Sequence, residues 1–412
     1  MGYADKPINP PKHVAAWLLA AGGERAEAGP LAVVSEPGAR PAWERFAAAV
    51  GAGFPVALAE PEEGARGADL AVVLARREAR TAGAVWMATG GTTGGARFCR
   101  HRGRTLGAAA CGFAETFPEI REHWSVLPAH HVGGLMPFLR AAACGGTAVA
   151  GNYRAWLAGR FATPPGRGAC LSLVPTQLAR LLAVPAADAF LRGFGMILAG
   201  GAALSPAVRA EAWRRGLPLA PCYGMTETAA MVTVLPPADF LRGTDGCGPA
   251  LPHVRLSVDK GGRLSVDSAA LFEGYLEASG FLPRRPGPWA APDAGRWSPE
   301  GSLVVEGRLD RVINTGGKKV SAERVEQVLS GMEGVGAVFV FGEPDMDWGE
   351  RVVAAVEVAE SGKEAFWRAR ARALLAPEER PKVWLALERL PRTSAGKVDA
   401  AALRKSFSLR GE

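Results

Sequence analysis

Between residues 83 and 227, short apolar runs alternate with amphipathic stretches, and this alternation restricts the fold more than any other feature. GAVWMA, HWSV, GACLSLVP, GFGMILAGG and LAPCYGMTE have the length and apolar content of buried strands, while RTLGAAACGFAETF, TQLARLLA and AVRAEAWRRG have helical spacing. Ser205 followed by Pro206 marks the start of the last helix, an N-cap hydroxyl ahead of a first-turn proline. Apolar strands joined through helices predict a parallel sheet covered on both faces. Upstream, the apolar runs of AGPLAVVSE and GADLAVVLA flank a helical AWERFAAAVGAG in the same rhythm.

After residue 308 the rhythm changes. Ser321 is placed to cap a short helix, AERVEQVLS, whose Val325, Val328 and Leu329 share one face. VGAVFVF, RVVAAVEV and VWLAL read as strands, and EAFWRARARALL and DAAALRKSF as helices. The expectation is an α/β chain: a large N-terminal domain of parallel and mixed sheets layered with helices (1–307), followed by a small α+β domain (308–412). The composition supports several packed cores, since 48% of the 412 residues are hydrophobic and 22% charged.

The net charge of +7 comes from scattered arginines with no basic arm, which predicts a solvated surface and no nucleic-acid partner. No apolar run approaches the roughly 18 residues of a membrane span, and the first residues lack the features of a secretory leader. No membrane insertion and a cytoplasmic location are therefore expected. Six cysteines without a CxxC pair suggest small buried thiols rather than a zinc site or a disulfide framework.

Four segments carry possible chemistry. TGGTTG, residues 89–94, follows a strand; its glycines let backbone N–H groups approach an anion, and its threonines add hydroxyl donors. In CYGMTE, residues 222–227, Tyr223 offers a flat ring, Thr226 a hydroxyl and Glu227 a hard oxygen of the kind Mg²⁺ prefers. GRLDRVINTGGKKVSAERVE opens the tail, and PRTSAGKVD places Lys397 beside a glycine ahead of the last helix. Each alone also reads as a turn, a cap or a surface charge.

In this order, the segments resemble the ATP-dependent acyl-adenylating superfamily of acyl-CoA synthetases, nonribosomal-peptide adenylation domains and luciferases. Within it, LPAHHVGG, SLVPTQLARLL, AGGAAL and GRLD are most similar to the o-succinylbenzoate–CoA ligases of menaquinone synthesis. The resemblance implies an acid–thiol ligase that forms an acyl-adenylate and then a CoA thioester. Its expected partners are a small carboxylic acid, ATP, Mg²⁺ and coenzyme A, and self-association is left open.

By similarity, Thr89, Gly90, Gly91, Thr92, Thr93 and Gly94 would hold phosphates, and Glu227 the Mg²⁺. Tyr223 and Gly224 would meet adenine, with Gly201 and Ala202 on its other side, and Thr226 would touch the α-phosphate. Asp293 would bind ribose with help from Arg308. Lys397 would bridge the carboxylate and the α-phosphate, Asp310 would be the hinge of a mobile small domain, and Gly316 and Gly317 would line the CoA tunnel. His131, Val174, Thr176 and Met225 would wall the acyl pocket. A second carboxylate on the acid would need a polar wall, for which Thr176, Gln177 and Arg180 are candidates.

Three features depart from the family pattern: Arg97 ends the phosphate loop where Lys is usual, only the Asp of the usual Thr-Gly-Asp is kept (Ala291, Pro292, Asp293), and the N-terminal stretch is short. The alternatives are another fatty or aryl acid, a carrier-protein acceptor, or a nucleotide-binding module without turnover.

Overall fold

A computed structural model describes residues 7–19, 32–34, 39–58, 81–89, 97–277, 279–358, 363–391 and 398–408. Among these, the strands form four sheets. In the first, Thr147–Ala150, Glu122–Ser125, Ala169–Leu173, Met196–Ala199 and Leu219–Met225 run parallel in that spatial order. Antiparallel partners close both edges, Pro7–Ile8 on one side and Ala230–Val234 on the other. Every residue of Ala169–Leu173 and Met196–Ala199 is buried, as expected of parallel strands covered on both faces. The expected helices follow at Gly103–Thr116, Pro175–Leu182 and Pro206–Arg214, and the Ser205 hydroxyl accepts the Val208 amide at 3.3 Å.

The second sheet runs Gly280–Pro283, Gly274–Glu277, Arg97–Arg102, Ala84–Thr89, Val56–Leu58, Ala32–Val34. Its last three strands are parallel and the others antiparallel. The helix Ala39–Gly51 follows Ala32–Val34, and the strand after it is Val56–Leu58. The apolar run of GADLAVVLA, residues 67–75, lies outside the described residues. Arg97–Arg102 (RFCRHR) is a strand despite four basic residues, because its apolar and imidazole groups are buried while its arginines find anionic or aromatic neighbours.

Helices Gly103–Thr116 and Val132–Cys144 fill the space between these two sheets. Leu106, Ala110, Leu135, Phe138 and Leu139 pack there against Val56, Leu58, Val85 and Met87. Each such large side chain contributes about 1.5–3 kcal/mol by burial. The second helix has Gly133 and Gly134 in its first turn and contains Pro137, so its helical pattern is weak in sequence; Trp43 anchors it, stacked on Phe138 with its Nε1–H donated to the Gly134 carbonyl at 3.0 Å.

A third, antiparallel sheet joins Val254–Val258, Arg263–Ser268, Trp289–Trp297 and Leu303–Arg308. The fourth contains Lys318–Ser321, Val312–Thr315, Gly349–Val358 and Val335–Asp345, with Val383–Leu387 parallel to Gly349–Val358. Ser321 caps the helix Ala322–Ser330, and Val325 and Leu329 enter a core with Trp367 and Trp384. Helices Glu364–Leu374 and Ala400–Ser408 complete the α+β unit. The six cysteines are free, with Cys99 and Cys170 buried and the others half-buried. Among the described residues no helix is long and apolar enough to cross a membrane.

Candidate nucleotide and acyl site

The strand Leu219–Met225 is the last parallel strand of the first sheet, and the chain leaves it through a single turn of 3-10 helix, Thr226–Thr228. The ladder to Ala230–Val234 slips between Tyr223 and Gly224. A Cβ on Gly224 would lie 2.0 Å from the Ala230 carbonyl oxygen, so glycine is required for this close approach. Ala229 and Ala230 take φ of 52° and 79°, a left-handed conformation that costs alanine about 1 kcal/mol or more per residue.

This strained turn points Glu227 inward, where it is 8% exposed. The Tyr275 hydroxyl donates to Glu227 Oε1 at 2.9 Å, and the Phe272 amide donates to the Glu227 carbonyl at 2.9 Å. His101 Nε2–H donates to the Thr226 carbonyl at 2.7 Å, and its Nδ1 lies 3.0 Å from the Thr105 hydroxyl. Burial pushes His101 down to about 4, so the ring is a neutral strut. Burial, reinforced by the Glu227 charge, pushes the neighbouring Cys99 thiol well up.

One turn earlier, the Tyr223 hydroxyl donates to Asp293 Oδ2 at 2.7 Å. Asp293 is 9% exposed on Trp289–Trp297, directly across the ladder from Arg308. Burial raises the Asp293 carboxyl, against the opposing pull of the Tyr223 hydrogen bond and the Arg308 charge. The guanidinium of Arg308 forks onto Asp310 rather than Asp293, at 2.8 and 2.6 Å. That pair raises Arg308 and lowers Asp310. Gly316 and Gly317 follow at an exposed turn with φ of 55° and 73°; a Cβ on Gly316 would lie 2.9 Å from the Trp348 ring.

On the opposite flank, Gly201 sits exposed at the end of Met196–Ala199, beside Ala202 and with Val174 as its near neighbour. His131 occupies the N-cap position of the helix Val132–Cys144 without a side-chain capping bond, its ring 4.3 Å from that of His130. Met225 is half-buried, whereas Thr176 and Arg180 are exposed on Pro175–Leu182. Gln177 spends its side-chain carbonyl on the Val174 amide, at 3.1 Å. Thr89 ends Ala84–Thr89, but Gly90, Gly91, Thr92, Thr93, Gly94 and Lys397 lie outside the described residues.

His101, Tyr275 and Arg140 carry no motif of their own in the sequence. Arg140, on Val132–Cys144, is 2% exposed and stacks over Phe113, with its Nε donating within its own helix to Met136 at 3.3 Å. Its Nη1 has no hydrogen-bond partner among the described residues. Around it lie Cys170, Cys222 and Cys144, and Cys222 in turn abuts Gly200 at the base of the Gly201 turn. In sequence it is one more arginine in an alanine-rich helix.

Among the described residues no group of three or more His, Cys, Asp or Glu is placed to hold a metal. Glu227 stands as a single buried carboxylate with one oxygen held by a neutral hydroxyl. That donor set fits Mg²⁺, which commonly joins one or two carboxylates to substrate phosphates, and does not fit an all-protein metal cage.

The family model described as AMP-binding enzyme matches residues 39–276, and that for the AMP-binding enzyme C-terminal domain matches residues 324–397. A 2-succinylbenzoate–CoA ligase of Listeria monocytogenes serotype 4b (strain F2365) is 32% identical over 250 residues, covering 59% of this chain and 52% of the relative. The chain thus spans about half the length of such curated relatives. A relative of Mycobacterium tuberculosis (strain ATCC 25618 / H37Rv), named as a probable 2-succinylbenzoate–CoA ligase, is 31% identical over 345 residues, covering 79% of this chain and 85% of the relative. The o-succinylbenzoate CoA synthetase of Bacillus subtilis, solved with an acyl-adenylate, shares the fold with a TM-score of 0.77 at 20% identity, over 95% of this chain and 91% of that one. With more than half its length matched by the first of those models, the chain belongs to the AMP-binding enzyme family.

Proposed function

We propose that the chain is an ATP-dependent acid–thiol ligase whose acid is an aromatic dicarboxylate of the 2-succinylbenzoate type. The observation that carries this is the convergence of Glu227, Tyr223 and Asp293 around the end of one parallel strand, where open α/β sheets bind ligands. Support for the acid comes from the names of the relatives and from Arg140, a buried cation that makes no ion pair among the described residues.

In the first half-reaction a carboxylate oxygen of the acid attacks the α-phosphorus of ATP, and the bond to the β-phosphate oxygen breaks, giving acyl-AMP and pyrophosphate. In the second, the sulfur of coenzyme A attacks the acyl carbon and AMP leaves. Both steps bring anions together, so placed donors and cations supply most of the rate.

Asp293 accepts ribose hydroxyls while its bond from Tyr223 orients the phenol ring for adenine, with Gly224, Gly201 and Ala202 beside it. Arg308 assists from across the ladder. Thr89 and the 90–94 loop hold phosphates, and Thr226 donates to the α-phosphate. Glu227 holds Mg²⁺, which when bound neutralises phosphate charge. Lys397 reaches the attacking carboxylate and the α-phosphate.

The division at 307/308, with Asp310 as pivot, lets residues 308–412 withdraw Lys397 and bring Gly316 and Gly317 to the thiol. Val174, Met225 and His131 wall the acyl pocket. Arg140, rather than the exposed Thr176 and Arg180 or the engaged Gln177, balances the second carboxylate.

The test is pyrophosphate release with ATP and Mg²⁺ across a panel of acids. Release with 2-succinylbenzoate above mono-carboxylic aryl and fatty acids is expected, followed by a CoA thioester in the mass spectrum. ATP binding without release for any acid would reduce the chain to a nucleotide-binding module. Lys397→Ala is expected to abolish acyl-AMP formation and largely spare thioester formation from supplied acyl-AMP.

A further inference from the structure

Arg97 and Glu227 both act on the same two side chains, Cys99 and Tyr275, yet Arg97 makes no ion pair among the described residues. A guanidinium and a carboxylate so placed ordinarily close into a bidentate pair. Tyr275 touches both. On the strand Gly274–Glu277 it lies directly across the ladder from Cys99, two residues along from Arg97. Its hydroxyl donates to Glu227 Oε1 at 2.9 Å, and its ring face carries the Arg97 guanidinium, whose central carbon is 4.0 Å from the ring centroid. Arg97 Nε is buried without a hydrogen-bond partner among the described residues.

The strand explains the arrangement. In Arg97–Arg102, alternate residues face one way: Arg97 meets the Tyr275 ring, Cys99 lies beside Glu227, and His101 supports the Thr226 carbonyl. Arg100 and Arg102 face the other way and both pair with Glu273. Of the three arginines in the strand, two are spent on a carboxylate and one rests on an aromatic face.

A neutral hydroxyl fixes the Glu227 carboxylate without neutralising it, and a ring face steadies a guanidinium while leaving its N–H groups to point elsewhere. This also accounts for arginine at the end of the phosphate loop: a planar guanidinium stacks on the ring, whereas a lysine ammonium is a compact point charge.

We propose that Tyr275 is a positioning residue that holds Glu227 and Arg97 apart, keeping the anion for the metal ion and the cation for phosphate. This rests on the nucleotide reading above. The test uses the full chain with ATP and no acid, so that nothing turns over. Mn²⁺ replaces Mg²⁺ and is followed by paramagnetic resonance, while metal-free ATP binding is followed by calorimetry.

Tyr275→Phe keeps the ring and removes the hydroxyl. It is expected to weaken Mn²⁺ in the ternary complex about tenfold, in line with loss of a hydrogen bond to a charged group, and to leave metal-free ATP affinity within about twofold. Arg97→Gln is expected to do the reverse, and Tyr275→Leu to weaken both. Melting temperatures of the first two variants should stay close to that of the unmodified chain. Unchanged Mn²⁺ affinity in Tyr275→Phe, with normal Mn·ATP binding by the unmodified chain, overturns the positioning role alone. No Mn·ATP binding by the unmodified chain overturns both this role and the nucleotide reading.

Discussion

Two buried polar regions lie in the large part of the chain, and they are finished differently. Around Glu227, the polar groups that set the turn itself are partnered, with Arg97 Nε at its rim the exception: His101 with Thr105 and Thr226, Tyr275 with Glu227, Tyr223 with Asp293, and the Thr228 hydroxyl with the Met225 amide. Around Arg140 they are not. Arg140 Nη1 and His123 Nδ1 have no partner among the described residues, and His123 Nε2 has only the Cys144 sulfur at 3.7 Å.

Unpaired buried groups are costly, and a buried cation without an anion more so. The saturated region is therefore set before any ligand arrives, whereas the unsaturated one has a deficit that an anionic ligand would fill. In the proposed reaction the first fixes the nucleotide and the second selects the acid.

The sharpest way to break this contrast is Arg140→Met. With a dicarboxylic acid, kcat/KM should fall about a hundredfold or more, the loss of about 3 kcal/mol expected when a charge-assisted contact disappears. The melting temperature should hold or rise, because an unpaired buried charge gives way to an apolar side chain of similar length. Melting measurements beside steady-state kinetics decide it: lost stability with intact kinetics would make Arg140 a packing residue.

The saturated region is tested through His101. Its folded value is pushed down to about 4 by burial, whereas an unfolded histidine titrates near 6.5. Between these values the unfolded chain binds the extra proton, so stability is present above about pH 6.5 and declines as the pH falls toward 4. The decline amounts to about 3 kcal/mol, read from denaturant unfolding at several pH values, and His101→Gln should flatten this part of the profile. A variant slope equal to that of the unmodified chain would remove His101 from the network.

A smaller effect is expected of Tyr223→Phe, which strips the buried Asp293 carboxylate of its donor. ATP affinity should drop about tenfold by calorimetry, the cost of one unsatisfied buried acceptor. Because burial already raises Asp293, affinity should also fall with acidity at a higher pH than an ordinary aspartate would give, and Asp293→Asn should abolish that dependence.

The parts of this architecture legible in sequence were those whose signal is local. Apolar strands such as MILA and the Ser205 and Ser321 caps announce themselves within a few residues. Arg97–Arg102 did not, because its burial depends on Glu273 and Tyr275, more than 170 residues away in sequence. The helix from Val132 was masked by Gly133, Gly134 and Pro137, which tertiary packing on Trp43 overrides. Of the candidate site, Tyr223, Glu227 and Asp293 stand out through the order of the motifs that carry them. His101, Arg140 and Tyr275 act through partners on other strands, and only their three-dimensional placement sets them apart from other histidines, arginines and tyrosines.

The smallest expected effect belongs to a pair outside both regions. Arg308 and Asp310 form a two-point bridge, but Asp310 is 43% exposed, so solvent screens most of the attraction. Asp310 is held below the usual aspartate value first by the Arg308 hydrogen bonds, so its contribution is present above about pH 4 and fades as the pH falls through the lowered value. Asp310→Asn should therefore change unfolding free energy by less than about 1 kcal/mol at neutral pH. If residue 310 is the pivot of the small domain, the same substitution should nonetheless alter the ratio of the two half-reaction rates, since freeing Arg308 changes the balance between orientations. Pre-steady-state measurement of acyl-AMP formation and of its consumption by coenzyme A separates the outcomes. A shifted ratio at unchanged stability supports the pivot; unchanged rates in both leave the bridge as a surface contact and place the pivot at another residue.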